Sequence, residues 1–203
     1  MNATKRIFLG WLPILLLALS PFLARGQGAV ATVNFNNRVP AASLYAPIYA
    51  MEVGGTLLAG TDYLAQLYAG PVGTAVNDLK PVGDAVGFRS DIAGFLNVGV
   101  DGSRSITDVA PGQSALVQIR VWSSAAGSTY EQALLSLNPT ALAGASDVLT
   151  ITTTSSLADP IPAPLTGLQS FAITPVPEPD IAWFGSLGLI ALVLKMRFSR
   201  EEA

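Results

Sequence analysis

The chain of 203 residues contains no cysteine and no histidine. That double absence removes whole classes of chemistry: disulfide frameworks, thiolate nucleophiles, Cys/His zinc sites, and Ser-His or Cys-His pairs. Charge is scarce as well. Only 12% of residues are Asp, Glu, Lys or Arg, and between Gln27 and Val176 five basic residues (Arg38, Lys80, Arg89, Arg104, Arg120) are outnumbered by ten acidic ones. Binding to nucleic acid draws on clustered cations that release counterions from phosphate; five scattered ones do not supply them, so no nucleic acid is expected as a partner. A chain without thiols is compatible with export, where a free thiol would be oxidised.

What the chain has in plenty is apolar residues, 50% of the total, and they are most concentrated at the two ends. Residues 1–26 read as a secretory signal peptide. Lys5 and Arg6 form a positive start, the run from Ile7 to Leu19 is almost wholly apolar apart from Pro13, and Ala24-Arg25-Gly26 puts small residues at the two positions that signal peptidase tests. Cleavage after Gly26 leaves Gln27 as the first residue.

The other end begins with Val176-Pro177-Glu178-Pro179, continues through the apolar run Ile181 to Leu194, and finishes with Lys195, Arg197 and Arg200. Physically this is an extended spacer, a helix and a basic stop. The prolines forbid helix upstream, and the basic residues resist translocation. Fourteen helical residues span about 21 Å against a hydrocarbon core of roughly 30 Å. Trp183, Phe184 and Phe198 at the interfaces, with snorkelling Lys195 and Arg197, extend the effective reach. The expected partner of this segment is a membrane.

The Val176-Pro177-Glu178-Pro179 motif, the Gly-studded run from Trp183 to Leu192 and the basic end together resemble the PEP-CTERM sorting signal of exported Gram-negative proteins. The likeness covers about the last 28 residues. It implies recognition of the Pro-Glu-Pro region by an exosortase, a multi-spanning membrane protease-transpeptidase that removes the tail. It also implies association with exopolysaccharide and biofilm matrix. The Asn34-Phe35-Asn36-Asn37 start of the body and its Val121-Trp122-Ser123-Ser124 stretch are similar to bodies that precede such signals, and imply no activity.

Between the ends, short β-prone runs alternate with Gly, Pro, Asn and Asp. Val30 to Phe35 ends at Asn36-Asn37, Tyr63 to Tyr68 stops at Gly70-Pro71, and Ser114 to Trp122 comes after the turn Pro111-Gly112. The last run has Ala115, Val117, Ile119 and Val121 on one face and Leu116, Gln118, Arg120 and Trp122 on the other, which predicts one core side and one mixed side. Asp147 to Thr153 and Leu168 to Thr174 repeat the pattern. Thr129 to Leu137 looks helical instead, capped by Ser128 or Thr129 with Glu131 in the first turn. Asp159-Pro160-Ile161-Pro162-Ala163-Pro164 is a stiff, extended connection that could pack along the body.

Many short strands with little helix favour an all-β fold. The expected form is an antiparallel β-sandwich, Ig-like or jelly-roll-like, flanked by a signal helix and a C-terminal transmembrane helix. The expected divisions are residues 1–26, 27–174, 175–180 and 181–203.

Carboxylates are the remaining candidates for catalysis. Asp84, Asp91, Asp101 and Asp108 fall in one region, and paired carboxylates hydrolyse glycosides at separations of roughly 5 to 9.5 Å. Each neighbours turn-forming residues, where Asp serves by bonding to backbone. Asp101-Gly102-Ser103 lacks the ligand spacing of a calcium loop, and Lys80 lacks a Ser-x-x-Lys partner. Tyr45, Tyr49, Tyr63, Tyr68, Trp122 and Tyr130 would suit a carbohydrate-stacking platform if exposed and a core if not. The expectation is a non-catalytic structural or interaction protein without metal or cofactor, processed by signal peptidase and exosortase. A carbohydrate-binding module and an Asp-dependent hydrolase stand as alternatives.

Overall fold

The protein is described by a computed structural model covering residues 28–99, 102–157 and 161–177. The expected signal peptide and C-terminal helix lie outside these residues, as do Ala24, Gly26, Glu178, Pro179, Lys195, Arg197 and Arg200. Among the described residues strand outweighs helix 43% to 10%, so the protein is all-β. No helix among them is long and apolar enough to cross a membrane.

In chain order the strands are β1 (Ala31–Asn34), β2 (Arg38–Val39), β3 (Leu44–Tyr45), β4 (Ile48–Ala50), β5 (Thr56–Leu57), β6 (Tyr63–Pro71) and β7 (Lys80–Val86). They continue with β8 (Ser103–Ile106), β9 (Ser114–Ser123), β10 (Leu142–Ala145), β11 (Leu149–Thr152), β12 (Thr154–Ser155), β13 (Ala163–Pro164) and β14 (Phe171–Pro175). One α-helix, α1 (Tyr130–Leu134), lies between β9 and β10.

The larger sheet has eight strands, in the order β5-β4-β14-β10-β9-β6-β7, with β11 also paired to β9. Its spine is the antiparallel pair β6–β9, in register over nine positions from Tyr63 opposite Ser123 to Pro71 opposite Ala115. Strand β6 therefore runs through Gly70 and Pro71 rather than stopping before them; proline is tolerated there because it closes the strand and leaves no later ladder to interrupt. A second sheet, of four strands, is built on β1, which pairs with β8 over all four residues and with β12 and β13 over two each; β2 and β3 pair only with each other.

The sequence pattern implies antiparallel pairing throughout, and two pairs depart from it. Strands β1 and β13 run parallel, and so do β4 and β14. A parallel pair needs a long return path; here other strands supply it, so no crossover helix is required.

The expected alternation of β9 decides the layering. Ala115, Val117, Ile119 and Val121 are at most 1% exposed and join one apolar cluster with Ala65 and Leu67 of β6, Ile48 of β4 and Ile173 of β14. The same cluster takes Ala31 and Val33 from β1 and Ile106 from β8, so both sheets face a common interior. Each fully buried Val or Ile there contributes about 1.5–3 kcal/mol. The opposite face of β9 is also covered: Gln118, Arg120 and Trp122 are buried, and Trp122 packs with Ala126, Ala133, Ala141 and Ala143 in a second cluster under α1.

Local polar groups fix the loops. Asn37, fully buried, donates from Nδ2 to the carbonyls of Ala46 and Gly94 at 2.8 and 2.9 Å, and its Oδ1 accepts from the Leu96 amide at 2.9 Å. Gly94 sits at φ +84°, where a Cβ would come within 2.7 Å of Leu57 and 2.9 Å of Pro47. Helix α1 starts where expected, with the Thr129 side chain accepting from the Gln132 amide at 3.2 Å. It ends at Leu134, earlier than the expected Leu137. Leu135 is already at φ −98°, ψ 3°, and Pro139 comes within a turn.

Candidate functional site

The residues expected to carry sorting meet the described structure at its last two positions. The amide of Val176 donates to the Ala141 carbonyl at 2.9 Å, and the Val176 side chain packs against the cluster around Trp122. Pro177 is exposed. The body is thus tied down up to the first residue of Val176-Pro177-Glu178-Pro179, and β14 delivers the chain to that point.

Three of the four candidate carboxylates lie within the described residues, and each has its own setting. Asp91 lies in an exposed turn and takes two hydrogen bonds from the Arg89 guanidinium, at 3.1 and 2.6 Å. That bonding holds its carboxyl down at about 2. Asp108 meets Lys80 at 3.7 Å, with both side chains largely exposed. Asp84 is exposed on β7, and Asp101 lies outside the described residues. Among the described residues no three carboxylates lie close enough to hold a metal ion.

The aromatic residues separate into two groups. Tyr45 is 55% exposed on β3, under the Arg38 guanidinium at 5.7 Å from the ring centroid. Tyr49 and Tyr63 are half-buried. Trp122 and Tyr68, in contrast, are 0% and 1% exposed, and Tyr130 meets each of them edge-on, with ring centroids 6.3 and 6.4 Å away. Trp122 donates from its indole nitrogen to the Gly127 carbonyl at 2.9 Å. These three rings are packing, not a stacking platform.

Sequence reading missed the polar group that these rings enclose. The Arg120 guanidinium lies 4.0 Å from the Tyr68 ring centroid and 5.4 Å from that of Tyr130. It donates through Nε to Gln118 Oε1 at 3.0 Å, through Nη1 to Glu131 Oε1 at 3.3 Å, and through Nη2 to the Val76 carbonyl at 2.7 Å. Tyr68 donates to the second oxygen of Glu131 at 3.0 Å. Burial, reinforced by that bond, pushes the Tyr68 phenol well above its ordinary value, and burial also raises that of Tyr130. Both phenols therefore stay protonated and can donate a hydrogen bond but not take up a proton.

A cleft of about 350 Å³ opens over this network, bordered by Val76, Arg120, Tyr130, Glu131 and Leu134. The Arg120 side chain is only 8% exposed in it, and each of its three nitrogens already donates a hydrogen bond. The arrangement clamps α1 onto the sheet. Its signal in the sequence is the succession Gln118, Arg120, Trp122 on one face of a strand, then an acidic residue in the first turn of a capped helix. No family model, curated protein or solved structure matches this chain.

Proposed function

We propose that this is an exported cell-surface or matrix protein whose C-terminus is a PEP-CTERM sorting signal, and whose body is a non-catalytic structural or interaction module. Signal peptidase would act after Gly26. An exosortase would act at Val176-Pro177-Glu178-Pro179, with Ile181 to Leu194 in the membrane and Lys195, Arg197 and Arg200 on the cytoplasmic side. Extracellular polysaccharide is the partner class that the resemblance implies. We further read the two sheets around their common interior as the layers of a β-sandwich; the cluster shared by β1, β8, β6 and β9 supports this.

One observation carries the proposal. The linear order of basic start, apolar run and small-x-small site, then folded body, then Pro-Glu-Pro, apolar run and basic stop, brackets the body with two oppositely oriented membrane signals. The Val176 to Ala141 bond adds support, because it ties the first residue of the motif to the folded body, so that the motif follows directly on β14.

The test is fractionation of native cells with mass analysis of both termini. The expected product is exported, begins at Gln27 and ends within or near the Pro-Glu-Pro motif; Glu178→Ala leaves the tail attached and the protein in the membrane fraction. Recovery of a chain running from Met1 to Ala203 in the cytosol overturns the proposal.

A further inference from the structure

Strand β14 ends at one end of the larger sheet, and its two neighbours there present apolar turns. On one side, β4 runs parallel to β14, with Ala50 opposite Ile173 and the Met51 amide donating to the Ile173 carbonyl at 2.8 Å. The turn after β4 therefore projects from the same end as Pro175. It carries Met51 and Val53, 59% and 61% exposed. On the other side, β10 runs antiparallel to β14, with Leu142 opposite Pro175, so the loop leading into β10 lies at that end too. It carries Leu135 and Leu137, 78% and 72% exposed. The chain leaves the body between these two turns.

Charge is slight on both flanks. Between Arg120 and Asp147 the one carboxylate is Glu131, which is engaged by Arg120 and Tyr68, and farther along that side exposed Asp62 meets Ser124; the opposite turn holds one acid, Glu52. Exposed leucines on a loop with so little charge want an apolar cover. The length of chain beyond Val176 indicates which cover. Only five residue steps separate Val176 from Ile181, where the apolar run begins, and at most roughly 16–18 Å can be spanned by so short an extended, proline-rich segment.

We propose that this end of the body, with Met51 and Val53 on one flank of the exit strand and Leu135 and Leu137 on the other, rests on a phospholipid bilayer while the C-terminal segment is inserted. The inference depends on the membrane insertion proposed above and adds an orientation to it. The sheet stands on the bilayer with β14 pointing into it, and the Pro-Glu-Pro motif is held at headgroup depth, where an intramembrane protease can reach it. Side chains of this kind bury their apolar ends in the interface and leave a flanking acid such as Glu52 in water.

Because the chain has no cysteine, single substitutions Leu135→Cys and Val53→Cys can each be labelled with an environment-sensitive fluorophore in the full chain. Val72→Cys is the control. Val72 is 60% exposed and apolar, but it comes directly after Pro71, at the far end of the nine-residue β6 from Tyr63 and Ser123. The labelled chains are reconstituted into phosphatidylcholine vesicles, isolated by flotation, and probed with nitroxide-bearing lipid and with aqueous iodide. The expected result is co-flotation, with lipid quenching several-fold stronger at 135 and 53 than at 72 and iodide quenching correspondingly weaker. Equal quenching at all three sites on floated chain overturns the docking and leaves insertion standing. Shielding from iodide without lipid quenching assigns the patch to a second copy of the chain and also overturns it. Failure of the chain to float removes insertion itself, and the docking with it.

Discussion

Asn37 is a single side chain that bonds three backbone groups on two stretches of chain, one at Ala46 and one at Gly94 and Leu96, inside the protein. Replacing it with Ala takes the side-chain partner from the buried Ala46 carbonyl and Leu96 amide, and leaves the Gly94 carbonyl with its bond from the Ile48 amide alone. Asn37→Ala should lower stability by about 2–4 kcal/mol, measured by urea unfolding. Tyr68 offers a prediction with a definite sign in pH. Its folded-state phenol is raised above the ordinary 10.0, so its contribution is fully present below pH 10.0 and declines as pH rises above it, where the unfolded chain loses the proton first. Tyr68→Phe should cost about 1 kcal/mol at neutral pH through the lost bond to Glu131, and should change the slope of stability against pH across pH about 9 to about 12. Equal alkaline slopes in the two proteins would contradict this.

At the scale of elements, α1 is five residues long and too short to stand on helical propensity. It is held by its cap, by Ala133 in the cluster around Trp122, and by Glu131 on Arg120. Thr129→Ala should therefore cost about 1 kcal/mol and raise hydrogen exchange across 130–135 before it changes the sheets. How far the elements can be read ahead of the structure depends on their length. Strand β9 is legible because four alternating apolar residues impose a period of two, and the start of α1 is legible because a cap is a local signal. Two-residue strands such as β2, β5, β12 and β13 have no period to read. Nor do the parallel pairings, which are set by tertiary contacts more than a hundred residues apart. The role of Arg120 is hidden for the same reason: a cation on a strand looks solvent-facing until the helix that covers it is placed. Asn37 reads as a turn residue, whereas its work is to bond segments distant in sequence. The expected sorting and leader residues rest on linear order alone, and most of them lie outside the described residues.

For the molecule as a whole, connectivity matters more than any one contact. Strand β14, the last among the described residues, is an interior strand of the larger sheet, between β4 and β10. Removing it splits the sheet between β4 and β10, leaves one edge of each unpaired, and takes Ile173 out of the core. A chain spanning residues 27–177 should unfold cooperatively in urea, whereas one stopping at residue 170 should bind hydrophobic dye and show no cooperative transition. A similarly folded shorter chain would show that the position of β14 is dispensable. The first strand is no less dependent on the C-terminal half of the body, since Ala31 aligns with Ser155. On the export route proposed above, a polypeptide emerging N-terminus first therefore cannot finish its architecture in stages. The body closes only once β14 has emerged, and on that route the proposed sorting segment follows it directly.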